Sequence, residues 1–236
     1  MLARPAAEAQ GALRFADHPL SVRAVTMRMH LRDGIGLWAE IRTTRPAEPR
    51  PILFLDRDGV LIEDLGYVGD ATATRLYPDA ADALAAACAR GYRVALVTNQ
   101  SGIGRGLYDW AGFASVQDII DAAVHGCGAR FDAILACAYH AEGRSPYDVA
   151  DHPWRKPAPG MILEGLRLLN GIPSRSALVG DRAIDIVAAR AAGLGTAVLI
   201  DRTGSQGAAA TGADAVVASL GAAVAFLSDA KTRTSW

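Results

Sequence analysis

The 236-residue chain carries 24 lysine and arginine residues against 25 aspartate and glutamate residues, a formal net charge of −1, and 51% of it is hydrophobic. That balance, with no long run of either sign, argues against a nucleic-acid footprint or a polybasic membrane patch, while the length suits one α/β domain with a substantial core. Three cysteines (Cys88, Cys127 and Cys137), odd in number and without framework spacing, are what a reducing compartment leads one to expect.

The N-terminal stretch lacks the continuous apolar run of a secretory signal. No segment approaches the ~18 uncharged apolar residues that span a bilayer, so a cytoplasmic protein is expected. Residues 1–49 show no alternation of strands and helices and lead into the proline-rich "RPAEPRP". Asp33-Gly34, set between partly alternating runs, predicts a β-hairpin there. This N-terminal extension either packs against the domain or forms an arm, and the residues leave both open.

Residues 50–230 read differently, as short apolar runs separated by helical patterns. "ILFL" (52–55) precedes a helix over about 79–90, "YRVALVT" (92–98) one over about 110–124, and "AILACAY" (133–139) one over about 160–169. "SALVGD" (176–181) precedes a helix near 183–192, "GTAVLI" (195–200) follows it, and a last helix covers about 220–227; the Ala/Gly-rich stretch 204–213 reads as a loop. Near-continuous apolar strands joined by single helices predict a doubly wound parallel sheet covered on both faces. Ligands of such sheets bind at the carboxyl ends of the strands, and the polar motifs of this chain follow its strands.

The first motif is "DRDG" (56–59). An aspartate with a divalent cation beside it can attack a phosphoryl group, which makes Asp56 the candidate nucleophile. Asp58 is near enough to protonate a leaving alcohol and then deprotonate water. Gly59 allows a sharp turn, and Arg57 reads as a spacer between the two carboxylates. Thr98, in "TNQSGIGRG", offers a hydroxyl and following N–H groups to phosphate oxygens. "RKPAPGM" supplies Lys156 as a point charge and Arg155 as a planar fork for a second phosphate. "VGDRAID" supplies Asp181, a hard oxygen donor suited to magnesium, with Asp185 one helical turn on. Singly, these segments read equally as turn residues, a polar loop, a solvated basic pair and a helix cap.

Together and in this order they resemble the haloacid dehalogenase-like phosphohydrolases, in the branch of heptose-bisphosphate and histidinol-phosphate phosphatases; the resemblance covers about residues 50–202. It implies a Rossmann-like fold and a magnesium-dependent phosphatase of a small phosphorylated substrate, here the C7 phosphate of a heptose 1,7-bisphosphate, with histidinol phosphate or a non-catalytic binding role as alternatives. It implies Asp56 as nucleophile, Asp58 as acid and base, Thr98 and Lys156 as stabilisers of the phosphoryl group, and magnesium on Asp56, the Asp58 carbonyl and Asp181. Substrate contacts are implied for Asp64, Leu65, Gly66 and Tyr67, for Thr98, Asn99, Gln100 and Ser101, and for Arg155, Lys156 and Arg182. Arg182 stands where a lysine is common, and Val60 where a threonine is usual. The roughly twenty residues between Asp58 and the next helix leave no room for a large cap domain. A monomer or small homo-oligomer is expected, with neither nucleic acid nor membrane as partner.

The branch usually carries a zinc loop of the form Cys-x-His, then Cys-x-Cys just before "RKP". Here Cys137 matches, but Tyr139 takes the histidine place, and His152 and Trp154 take the two cysteine places. Cys137, His140 and His152 are the remaining candidate ligands, one fewer than a closed site wants. The expectation is no stoichiometric zinc, with the loop held by packing of Tyr139, Pro146, Pro153 and Trp154.

Overall fold

A computed structural model describes residues 30–204 and 211–233. Seven strands form one sheet: β1 (Leu37–Ile41), β2 (Ile52–Leu55), β3 (Arg93–Asn99), β4 (Ala133–Cys137), β5 (Ala177–Gly180), β6 (Thr196–Ile200) and β7 (Ala215–Val217). Their spatial order is β1-β4-β3-β2-β5-β6-β7. All neighbours are parallel except β1, which runs antiparallel to β4 with Leu37 opposite Cys137. From β2 the chain winds outward through β3 to β4, then returns to the far side of β2 and continues through β5 and β6 to β7. The topological switch therefore lies between β2 and β5, which is where a ligand crevice opens in such a sheet.

The helices described in full are α1 (Ala80–Ala89), the single turn α2 (Ser101–Gly104), α3 (Trp110–Gly126), α4 (Gly160–Leu168), α5 (Ala183–Ala191) and α6 (Leu220–Arg233). Asp109 starts α3, its carboxylate accepting from the Gly112 N–H at 2.9 Å. The four side chains of β2 show how one strand serves two cores. Leu53 and Leu55 join the layer containing Leu84 of α1, Phe113 and Ile120 of α3 and Leu227 of α6. Ile52 and Phe54 join Met161 and Leu166 of α4 and Ile186 of α5 on the other face. Alternation along a strand combined with burial on both sides is why this segment reads as an unbroken apolar run.

Strand and helix order from residue 52 to 200 follows the sequence expectation within one or two residues at most ends. The largest shift is in α6, which runs on to Arg233. The segment 1–49 contributes more than an appendage, because Leu37–Ile41 is the edge strand of the same sheet. Leu31 and Trp38 form an antiparallel bridge around Asp33-Gly34, Gly34 having φ +83. The part of the expected hairpin's first arm before residue 30 lies outside the described residues, as does most of the Ala/Gly-rich stretch. Between Asp58 and α1 the chain forms loops and one 3₁₀ turn (Ala71–Ala73), with no inserted domain. Among the described residues no helix is long and apolar enough to cross a membrane.

Candidate active site

β2 ends at Leu55, and the next residue, Asp56, remains tied to the sheet through its N–H, which donates to the Val179 carbonyl at 3.1 Å. Its Oδ1 accepts from the Arg57 N–H at 2.7 Å, and its Oδ2 lies 2.8 Å from Lys156 Nζ. Lys156, 1% exposed, also meets Asp185 Oδ1 at 2.6 Å and the Val97 carbonyl at 2.8 Å. All three ammonium protons are thus engaged. Burial opposes the charge, but the carboxylates of Asp185 and Asp56 outweigh it and hold the lysine above its usual pKa. The loop carrying Lys156 is anchored by Asn99, whose side chain accepts from the Lys156 N–H at 3.0 Å and donates to its carbonyl at 2.9 Å.

Asp181 follows β5 directly across the switch point. Burial, with the negative charges of Asp56 and Asp185, pushes its carboxyl up to about 7. Carboxylate oxygens of Asp56, Asp181 and Asp185 all lie within 4.8 Å of one another, the one such cluster of acidic, histidine or cysteine ligands among the described residues. Hard oxygen donors so close repel each other, and a divalent cation relieves that repulsion, so the donor set fits magnesium. Asp185 is already committed, with one oxygen on Lys156 and the other accepting from the Arg182 N–H at 3.1 Å. Gly59 makes the approach possible: its φ is +77, and a Cβ there would sit 2.2 Å from Asp181 Oδ2.

Asp58 has a separate set of partners, and Arg57 is far more than a spacer. The guanidinium is fully buried at 0% exposure, donating to Asp58 from Nε at 3.2 Å and from Nη2 at 3.0 Å, and to the Val68 carbonyl at 3.0 Å. It also lies 5.3 Å from the centre of the Phe113 ring. Alternation turns residue 57 inward as its neighbours turn toward the crevice, and the second Asp58 oxygen accepts from Gln100 Nε2 at 3.1 Å. The same amide donates to Thr98 Oγ1 at 2.8 Å, while the Tyr108 hydroxyl donates to Gln100 Oε1 at 2.5 Å. Gln100 thus ties Asp58 to Thr98. Burial raises the Asp58 pKa, and the Asp56 charge adds to it, against the pull of Arg57 and Gln100. A carboxyl that keeps its proton more readily is suited to acid catalysis.

These groups floor a cavity of about 400 Å³. Asp56, Asp58, Asp64, Gly66, Tyr67, Thr98, Asn99, Gln100, Ser101, Arg155, Lys156, Asp181 and Arg182 all line it. Leu65 does not, its side chain being 60% exposed on the outside of its loop. Six further lining residues were not foreseen as contacts: Val68, Gly102 and Ile184, which add backbone and apolar surface, and Arg105, Tyr108 and His140, which add polar groups. Arg105 lies inside the motif that begins at Thr98 and Tyr108 two residues past its end, and the turn of α2 brings both back over the site. Arg105 Nη2 lies 3.2 Å from His140 Nε2 and 2.8 Å from Glu142, with its guanidinium 5.5 Å from the Tyr67 ring. The acidic floor is thus faced by a rim of Arg105, Arg155 and Arg182.

The candidate zinc ligands do not converge among the described residues. Cys137 is buried in β4, and that burial pushes its thiol up to about 11. His140 turns into the cavity, where its Nδ1 accepts from the Glu142 N–H at 2.9 Å. His152 stacks on Tyr139 with ring centres 4.4 Å apart and planes at 15°. Tyr139 and Trp154 both pack against the α4–α5 core.

The family model for haloacid dehalogenase-like hydrolases matches residues 2–193. The chain is 41% identical over 167 residues to the D-glycero-beta-D-manno-heptose-1,7-bisphosphate 7-phosphatase of Mesorhizobium japonicum, covering 70% of this chain and 77% of that protein. It is also 41% identical over 167 residues to the D-glycero-alpha-D-manno-heptose-1,7-bisphosphate 7-phosphatase of Burkholderia mallei, covering 70% and 87%. Among solved structures, the D,D-heptose 1,7-bisphosphate phosphatase of B. bronchiseptica, complexed with magnesium and phosphate, superposes with a TM-score of 0.66 at 30% identity, covering 76% of this chain and 99% of that one. The extent of these matches shows that the chain belongs to the haloacid dehalogenase-like hydrolases, among their phosphatases.

Proposed function

We propose that the chain is a magnesium-dependent phosphatase that removes the C7 phosphate of D-glycero-D-manno-heptose 1,7-bisphosphate through an aspartyl-phosphate on Asp56. The observation that carries this reading is the division of the cavity into an acidic floor and a basic rim. One phosphoryl group needs only the floor, and the rim of Arg105, Arg155 and Arg182 suits a second anion on the same small substrate. Magnesium would be held by the Asp56 and Asp181 side chains with the Asp58 carbonyl, and would neutralise charge on the phosphoryl oxygens. Asp56 attacks phosphorus while Asp58 gives its proton to the departing sugar oxygen. Asp58 then takes a proton from the water that opens the acyl phosphate. Lys156, held against Asp56, faces the charge that builds on the transferring group, and the Thr98 hydroxyl meets a phosphoryl oxygen.

Phosphate release should be measured side by side for the heptose bisphosphate and for histidinol phosphate, with magnesium present and after chelation. The proposal expects a much larger kcat/KM for the bisphosphate, loss of turnover on chelation, and abolition by Asp56→Asn. A larger kcat/KM for histidinol phosphate would overturn the substrate assignment. Unchanged turnover by Asp56→Asn would overturn the mechanism and assign the activity to a contaminant or to a different site.

A further inference from the structure

The turn at residues 33–37 lies outside the motifs that carry the family resemblance, yet it reaches the substrate cavity through one tyrosine. Asp33 Oδ1 accepts from the N–H groups of Ile35 at 3.1 Å, Gly36 at 2.9 Å and Leu37 at 3.0 Å. Its Oδ2 accepts from the Tyr139 hydroxyl at 2.5 Å. Burial acts against this carboxylate, but the four hydrogen bonds outweigh it and keep its pKa below the usual range. Gly36 lets the ring lie flat on the turn, since a Cβ there would stand 2.6 Å from Tyr139 Cε2. The Trp110 indole N–H donates to the Ile35 carbonyl at 2.7 Å, and the Ala138 N–H to the Gly36 carbonyl at 2.9 Å, so the turn is fixed from two sides.

Tyr139 in turn holds Arg155 twice. Its carbonyl accepts from Arg155 Nη1 at 3.0 Å, and its ring stacks on His152, whose own carbonyl accepts from the Arg155 N–H at 2.8 Å. An arginine side chain has many rotamers to lose when it is fixed. A guanidinium already fixed at one nitrogen meets an anion at lower entropic cost than a free one.

We infer that Asp33 and Tyr139 are positioning residues for Arg155, the N-terminal turn bracing loop 139–155 so that the guanidinium meets the second anionic group of the substrate. The consequence for selectivity rests on the bisphosphate reading; the brace itself does not. Tyr139→Phe keeps the ring and its stack while removing the hydroxyl, and so decides the matter even if Asp33→Ala folds poorly. Two measurements apply: amide hydrogen exchange over residues 140–155, and steady-state kinetics with the heptose bisphosphate and with p-nitrophenyl phosphate. Both variants should exchange about tenfold faster in this loop and raise KM for the bisphosphate about three- to tenfold, with kcat and the p-nitrophenyl phosphate constants within about twofold of wild type. Unchanged exchange in the loop by Tyr139→Phe would overturn the brace, as would faster exchange spread across β2 to β5. Equal KM increases for both substrates, or none for the bisphosphate, would overturn the positioning of Arg155. Failure of the wild type to hydrolyse the bisphosphate would strike the proposed function instead, and hydrogen exchange would then decide the brace alone.

Discussion

Replacing Arg57 with methionine removes a buried cation while keeping most of the length of its apolar stem. The guanidinium is 0% exposed, and its loss leaves the Asp58 carboxylate, 22% exposed, held by the Gln100 amide. Breaking one side of a buried ion pair costs about 3–5 kcal/mol. The partial exposure of Asp58 places the expected loss near the lower end, about 3 kcal/mol. For a chain of this size that corresponds to a fall in Tm of roughly 6–12 °C. The Val68 carbonyl and the face of Phe113 also lose a partner. In an Asp58→Asn background the ion pair is already gone and only these contacts and a neutral hydrogen bond to the amide oxygen remain to be lost, so the same substitution should cost about 1–2 kcal/mol there. Denaturant unfolding of the four proteins in this cycle measures the coupling.

Catalysis supplies an independent reading of the same substitution. A correctly placed general acid contributes about 10²–10⁴-fold, and its contribution matters most for an alkoxide leaving group. Arg57→Met should therefore lower kcat/KM for a sugar phosphate by about 10- to 100-fold, and for p-nitrophenyl phosphate by no more than about threefold, since nitrophenolate departs without a proton. A Tm within about 2 °C of wild type, or equal losses on the two substrates, would refute the view that Arg57 holds Asp58 in place.

Close contacts and burial give two further expected outcomes. Gly59→Ala imposes a Cβ 2.2 Å from Asp181 Oδ2 at a φ of +77, so kcat should fall by about two orders of magnitude even where the protein folds, and near-normal turnover would contradict the packing of this turn. Cys137, buried and with its thiol pushed up to about 11, has only about one thiolate in a thousand at pH 8. Iodoacetamide on the folded protein should therefore label the exposed Cys127 and spare Cys137 until denaturant is added, and mass spectrometry showing equal early labelling would disprove that burial.

Much of the frame was legible from the residues because its signals are local. Leu53 and Leu55 point to one face and Ile52 and Phe54 to the other, so burial of both faces writes a continuous apolar run into the sequence. The crossover rule then carries the ends of β2, β3 and β5 to one edge, bringing Asp56, Thr98 and Asp181 together without any knowledge of distances. Lys156 arrives on the loop before α4, and its motif was readable for the same reason of order along the chain.

Tertiary structure alone decided what depends on contacts between distant segments. Arg57 reads as a spacer between two functional aspartates, and only the position of Phe113 and the Val68 carbonyl shows that it is a buried counter-ion. Asp185 resembles an ordinary first-turn helix residue until Lys156 is found 2.6 Å from it, 29 positions away in the chain. The place of Leu37–Ile41 in the main sheet was hidden because its pairing partner, β4, lies nearly a hundred residues further on, and no local pattern tells an edge strand which open edge it will take. Sequence determined which strand ends meet, since strand direction and handedness are set by local sterics. The counter-charges and braces that hold the site were decided by long-range packing, where burial forces each charge to find its partner.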